Sequence, residues 1–308
     1  MTQTKQNVIK SKSQKGFLYG ILATVLFAAY LLTNRYVYTT YRVDTLSYVV
    51  TFTIWAAFFA LLGVAYHRYK QRFVIFGKGT FPVVLTGMLA GIGVGLIVLG
   101  QRYTTAINAS IIATASIVPT VVFSRLMLKE VFSRFQYAWL TVMFAGLYLA
   151  IVGIHTLSLN KGDAIIMSSA VILGFTNTFS KVLMRTHNSD FVADVRLVSG
   201  GLLFIILGAV FRGDGFLVTS AGLWPILAGL FYWLTIKFFY ASVNYINPGK
   251  ATVLVNAHPI ITPIVGIFVL SEPYGLAKLL GSVLILVSIY FINKSSGSPG
   301  GNNASGVR

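Results

Sequence analysis

About ten apolar segments, each near 20 residues long, divide this 308-residue chain, and the short loops between them hold almost all of its charge. A helix rises about 1.5 Å per residue, so a segment of that length matches the roughly 30 Å hydrocarbon layer of a bilayer. In that layer every backbone polar group must be satisfied within the segment, which leaves the helix as the form for isolated apolar runs. The composition agrees: 56% hydrophobic residues, 10% charged residues and a mean hydropathy of +0.78 exceed what a soluble domain of this size needs to bury. The sequence predicts an all-α membrane protein with ten transmembrane helices, roughly at 17–34, 46–66, 81–101, 104–124, 135–155, 163–184, 193–211, 222–243, 248–270 and 274–293. The longest linkers, Arg35 to Thr45, His67 to Thr80 and Arg212 to Ala221, are too short to hold a folded domain.

The formal charge of +17 would suggest a nucleic-acid partner in a soluble protein. Here Lys and Arg alternate between dense and sparse loops: 18 fall on the side of the N-terminus and 6 on the other. By the positive-inside rule this predicts a multi-pass protein of the cell (plasma) membrane with both termini in the cytoplasm and no nucleic-acid partner. Cysteine is absent, which removes disulfides, thiolate metal sites and cysteine nucleophiles. No cofactor and no metal is implied. The basic start followed by Gly16 to Thr33 imitates a signal peptide, but no convincing small-x-small cleavage site follows, so it is read as the first span.

Ten spans invite a search for two halves. An offset of 142 residues matches Tyr103 with Tyr245, Ala109 with Ala251, Thr120 with Thr262, Leu128 with Leu270 and Glu130 with Glu272, and both glutamates sit in a short loop between two spans. An offset of 146 matches Lys15-Gly16 with Lys161-Gly162 and Arg35 with Lys181. Five helices per half is an odd number, so the second half enters the membrane from the opposite side and the repeat is inverted. The expected organisation is a cytoplasmic N-terminal segment (1–15), a first five-helix repeat (16–155), a second inverted repeat (160–293) and a disordered Gly/Ser/Asn-rich tail (294–308). Inverted repeats bind solute near the midplane and rock between two openings.

The stretch from Tyr103-Thr-Thr-Ala-Ile-Asn-Ala-Ser to Pro119 and Leu128-Lys-Glu130 is echoed by Tyr245-Ile-Asn-Pro-Gly-Lys-Ala-Thr running to Pro259, Pro263 and Leu270-Ser-Glu272. Together these resemble the drug/metabolite transporter superfamily, and within it the EamA-like ten-helix transporters. The resemblance covers roughly residues 16–293. One departure is Trp139, where the family often has Gly; Gly281 keeps that pattern in the second half. The resemblance implies ten helices in two inverted repeats and metabolite export. Members that carry organophosphates have a Lys-Arg pair in the ninth span, where His258-Pro259 stand here, so a phosphate ester fits poorly.

All seven acidic residues are read as lying in loops or at span ends, so no intramembrane carboxylate relay is expected. No HExxH, carboxylate pair or Ser-His-Asp set is placed for catalysis, which argues against an enzyme. Glu130 and Glu272 are candidates for capping or gating, because a carboxylate suits the unpaired N–H groups of a helix start. His258 lies near the middle of its span in Asn256-Ala-His-Pro259, where two prolines weaken the backbone ladder; it is either a core histidine bonded to a neighbour or a solute contact. Lys237 lies about 9 Å inside the membrane by helical rise, and it either snorkels or faces inward to an anion. Asn177 and Thr114 are polar side chains inside spans, and Tyr30 with Trp233 and Tyr232 are candidates for an aromatic wall. Gly87, Gly91 and Gly95 share one helix face and read as helix packing.

The candidate substrate site is therefore His258, Asn256, Asn177, Lys237, Tyr30, Trp233 and Thr114. The expected partners are a small-molecule substrate and the lipid bilayer. The expected function is a secondary transporter or facilitator for an amino acid, an amine or an aromatic compound, working by alternating access. The alternatives are an intramembrane enzyme and a channel or signalling protein. With no interior carboxylate, proton coupling would fall to His258 alone, and uncoupled facilitation is favoured.

Overall fold

The computed structural model describes residues 3–69, 79–129, 133–152, 160–212, 217, 220–246 and 248–295. Its elements are α1 (Gln3–Thr40), α2 (Thr45–Tyr69), α3 (Thr80–Gln101), α4 (Ala106–Ala113), α5 (Ile117–Leu128), α6 (Arg134–Val152), α7 (Lys161–Leu183), α8 (Ser189–Arg212), α9 (Trp224–Tyr245), α10 (Pro248–Val255), α11 (Ile261–Leu270) and α12 (Leu276–Ser295). A 3₁₀ turn over Thr114–Ser116 joins α4 to α5, and another over His258–Ile260 stands between α10 and α11. Counting each interrupted pair as one segment gives ten helical segments, and no strand occurs among the described residues. Among the described residues seven stretches are long and apolar enough to cross a membrane, and His258–Leu270 and Leu276–Ile292 are shorter apolar helices.

Several boundaries differ from the sequence reading. The first helix runs from Gln3 to Thr40, so residues of the expected N-terminal segment are helical and Arg35 lies within the helix rather than in a loop. The seventh segment starts at Ser189 instead of 193. Asn188, Ser189 and Asp190 supply the polar start, and Asn188 Oδ1 accepts from the Asp190 N–H at 2.9 Å. Arg196 is thereby carried about two turns into the helix. Of the expected tail, residues 296–308 lie outside the described residues.

Both interruptions have a local cause. Pro259 and Pro263 remove two backbone donors from the ninth segment, and the Ala257 N–H turns to Leu254 O in a tighter i→i−3 bond at 3.0 Å. In the fourth segment Pro119 follows the 3₁₀ turn. Each interrupted segment then ends on a left-handed residue other than glycine, Lys129 with φ 56° and Ser271 with φ 51°. Their N–H groups bond Ser124 O and Gly266 O respectively. These two positions are 142 apart, the offset read from the sequence, and they are the only non-glycine residues with positive φ among those described.

The main helix pairs correspond when the two halves are exchanged. Helix α1 lies on α9 as α3 lies on α7; α2 pairs with α8, and α6 with α12; α4 rests on α7 as α10 rests on α1, and α5 on α7 as α11 on α1. The core lies between these pairs, around Tyr30, Tyr48, Phe52, Val98 and Tyr240. Large apolar side chains also point outward, Phe268 at 84% exposure and Phe81 at 75%, a surface that suits hydrocarbon rather than water.

The glycine stripe packs α3 onto α8. A Cβ at Gly87 would lie 2.6 Å from Arg196 O, one at Gly91 would lie 3.0 Å from Gly200 Cα, and one at Gly95 would lie 2.5 Å from the Phe204 ring. Gly87→Val must therefore push α8 away, at about 1–3 kcal/mol of overpacking. Its melting temperature in detergent should fall clearly. Gly275→Val, at a position with open space around it, should melt like the wild type.

Candidate functional site

A cavity of about 70 Å³ lies in the middle of the bundle. That is several times the roughly 10–15 Å³ needed to seat one water. It is lined from α1 (Phe27), α3 (Val94, Ile97), the α4–α5 break (Ala113, Ser116), α7 (Ser169, Leu173, Asn177), α8 (Arg196), α9 (Tyr232, Thr235, Phe239) and the end of α10 (Thr252, Val255) with Asn256. Both halves contribute, and both interruptions border it. A smaller pocket shares Asn177, Phe239 and Thr252 with it and continues past Ser124 to Leu128, Lys181 and Met184, toward the ends of α5 and α7.

Of the seven expected substrate residues, Asn177 and Asn256 line the cavity. His258 is fully buried beside it, with Nδ1 2.7 Å from Ser110 Oγ and its ring edge-on to Phe27 at 4.8 Å. That bond ties the two interrupted segments together. Thr114 donates back to Ser110 O, and Tyr30 packs behind Tyr232 at 5.2 Å between ring centroids. Trp233 turns away: its indole stacks on Phe59 and its Nε1 donates to Asp194 Oδ1 at 3.3 Å. The aromatic face of the cavity is instead Phe27, Tyr232 and Phe239.

Lys237 does not line the cavity. Its ammonium is held by Asp190 Oδ1 and Asp194 Oδ2, each at 3.0 Å. Asp194 is fully buried in α8, which corrects the expectation that no carboxylate enters the interior. A charged pair at that depth is tolerated because each partner neutralises the other. Gly63 of α2 makes the room, since a Cβ there would come within 2.8 Å of Asp194 Oδ2.

The face opposite the smaller pocket is closed by polar side chains. Glu272 is nearly buried and accepts from the N–H groups of Ala106 at 2.7 Å and Ile107 at 3.0 Å. These are first-turn donors of α4 with no intrahelical partner. The carboxylate thus caps a helix of the other half, not the helix that follows it. Arg35 Nε lies 3.4 Å from Glu272 Oε1, and Arg35 Nη1 donates to Gln101 O at 3.0 Å. Gln101 Nε2 donates to Leu31 O, Asn34 donates to Gln101, and the Tyr48 hydroxyl donates to Asn34. The left-handed Ser271 turns the chain so that Glu272 points back into this closure. Glu130, at the matching place in the first half, lies outside the described residues.

A family description, EamA-like transporter family, matches residues 14–152 and again 160–294. The chain belongs to the EamA-like transporter family. This EamA-like chain is 20% identical over 223 residues to an uncharacterized transporter of Bacillus subtilis (strain 168), YyaM, covering 69% of this chain and 72% of that one. It is 25% identical over 252 residues to an uncharacterized transporter of Archaeoglobus fulgidus, covering 78% and 85%. A crystal structure superposes with a TM-score of 0.67 at 17% identity, covering 92% of this chain and 99% of the other. Membership points to a multi-pass membrane transporter of a small solute rather than an enzyme.

Sequence reasoning missed Arg196, Ser116, Ser169 and Thr235. With the helix start read at 193 rather than at Ser189, Arg196 counts among the basic residues of the N-terminal side instead of as an interior group. The Asn-Ser-Asp run at 188–190 was the available signal.

Proposed function

We propose that this EamA-like protein is a secondary carrier or facilitator of a small organic solute in the plasma membrane, with both termini cytoplasmic and two inverted five-helix repeats that open the central cavity alternately to each face. The observation that carries the reading is the central cavity itself. It lies between the two halves at the breaks of both interrupted segments, the place where irregular backbone can serve a solute. Lys129 and Ser271, at the repeat offset, support the two-fold relation, as does the exchange symmetry of the helix pairs. The charge asymmetry supports the orientation: with Arg196 and Lys237 removed as interior groups, sixteen basic residues remain on the N-terminal side against six. On this reading the Glu272 closure seals the outer face and the smaller pocket leads to the cytoplasm. Export is the direction we favour, by family resemblance.

Counterflow in proteoliposomes tests the carrier: labelled solute should enter against its gradient in exchange for unlabelled solute inside. Appearance of a chemically altered product would instead identify an enzyme, and flux without exchange would identify a channel. Topology has its own test, because the chain lacks cysteine. Arg134→Cys and Gly275→Cys should react with a membrane-impermeant thiol reagent from opposite faces. Labelling of both from one face would refute the inverted repeat.

A further inference from the structure

Arg196 brings a positive charge into the bundle without a negative one. The residue is 2% exposed, and its hydrogen-bond partners are all neutral. Nη1 donates to Asn177 Oδ1 at 2.9 Å, to the Tyr240 hydroxyl, and more distantly to Ser180 Oγ at 3.5 Å. Nη2 reaches Thr176 Oγ1 only at 3.4 Å, and Nε has no hydrogen-bond partner. Asp194, two positions away, lies about 200° around the helix. It is occupied by Lys237 and Trp233. Among the described residues no carboxylate pairs with Arg196.

A guanidinium taken out of water is costly unless an anion compensates it. This one lines the cavity. Its Nη1 end is committed to the protein, whereas the Nε–Nη2 edge keeps two N–H groups with at most one long bond between them. Two parallel N–H groups are the fork that a carboxylate meets with both oxygens. The rest of the cavity is chiefly apolar and aromatic, with Phe27, Tyr232 and Phe239 on one side, and no acidic residue lines it. An amine would meet a like charge there with no counter-ion. A dianionic phosphate would keep one charge unpaired, since Arg196 is the single basic residue of the lining.

We propose that Arg196 anchors the solute and that the solute is a small monoanionic carboxylate with an apolar or aromatic body. This rests on the carrier reading only for the word solute; the binding site stands on its own geometry. It narrows the expected range by removing simple amines.

The test uses the purified full chain and two carboxylates, benzoate and isovalerate, each beside its amide and its amine. At least one carboxylate should raise the melting temperature saturably, while the matching amide and amine do not. Arg196→Met should weaken that carboxylate by about tenfold or more, the scale of one charge-assisted hydrogen bond. Arg196→Lys should fall between, because a point charge lacks the fork. The proposal is overturned if neither carboxylate stabilises the protein, if amide or amine does so equally, or if both variants bind the carboxylate like wild type. Should Arg196→Met aggregate, Arg196→Lys decides alone, and unchanged affinity overturns the anchor. Carboxylate binding without counterflow would leave the anchor standing and refute the carrier. Counterflow of an uncharged solute that ignores Arg196→Lys would do the reverse.

Discussion

Replacing Glu272 by alanine is expected to weaken the closure that it forms and, on the proposed carrier mechanism, to slow counterflow by an order of magnitude. The carboxylate performs three tasks at once: it takes two free N–H groups at the start of α4, it faces Arg35, and it links the two halves of the chain. Losing such a cap costs about 0.5–2 kcal/mol. In a two-state equilibrium 1–2 kcal/mol is a factor of about 5–30 in population. The variant should therefore populate the outward-open form far more than the wild type. A cysteine replacing Ser116 in the cavity lining reports this. On the proposed topology it should label mainly from the cytoplasmic face in the wild type, and from both faces with Glu272→Ala. Glu272→Gln, which keeps an acceptor oxygen but no charge, should fall between. Unchanged labelling together with normal exchange would show that Glu272 is only a cap.

Most of the architecture was legible because hydropathy reports span positions directly. Each of the ten segments appears where an apolar run occurs, and the repeat offset of 142 reappears as a pair of left-handed residues. Asn177 and Asn256 were legible as cavity-lining residues because a polar side chain far from a span end needs a partner or a cavity. Arg196 and Asp194 were not, and the reason is physical. A charge within two turns of a helix start looks the same in sequence whether the helix begins before or after it. Only the polar start at Ser189 distinguishes the cases, and composition alone does not weigh it. Glu272 was legible as a cap but not as a cap for the other half, because a hydrogen bond across 166 positions leaves no local pattern.

Neutralising Lys237 is expected to destabilise the protein more than removing the whole pair. Lys237→Met leaves Asp194, which is fully buried, without a counter-charge, and Asp190 on the same helix adds a second negative charge beside it. Breaking a buried pair by deleting one partner costs about 3–5 kcal/mol, whereas replacing both by apolar groups is often near neutral. Lys237→Met should thus melt well below the wild type, and Lys237→Met combined with Asp194→Leu should recover most of the loss. The recovery stays incomplete because Trp233 Nε1 loses its acceptor. Equal stability of the single and double variants would show that Asp194 left without Lys237 carries no penalty, and Asp194→Leu alone completes the cycle that measures the coupling. The same variants bear on energetics. With Asp194 in the interior, proton coupling is no longer confined to His258, so uphill uptake under a pH gradient should be compared in His258→Ala and in the recovered double variant. An uncoupled facilitator equilibrates its solute in both. Proton-driven accumulation that survives His258→Ala but fails in the double variant would transfer coupling to the Asp194–Lys237 pair, and with it the explanation for why so costly an ion pair is kept inside an apolar bundle.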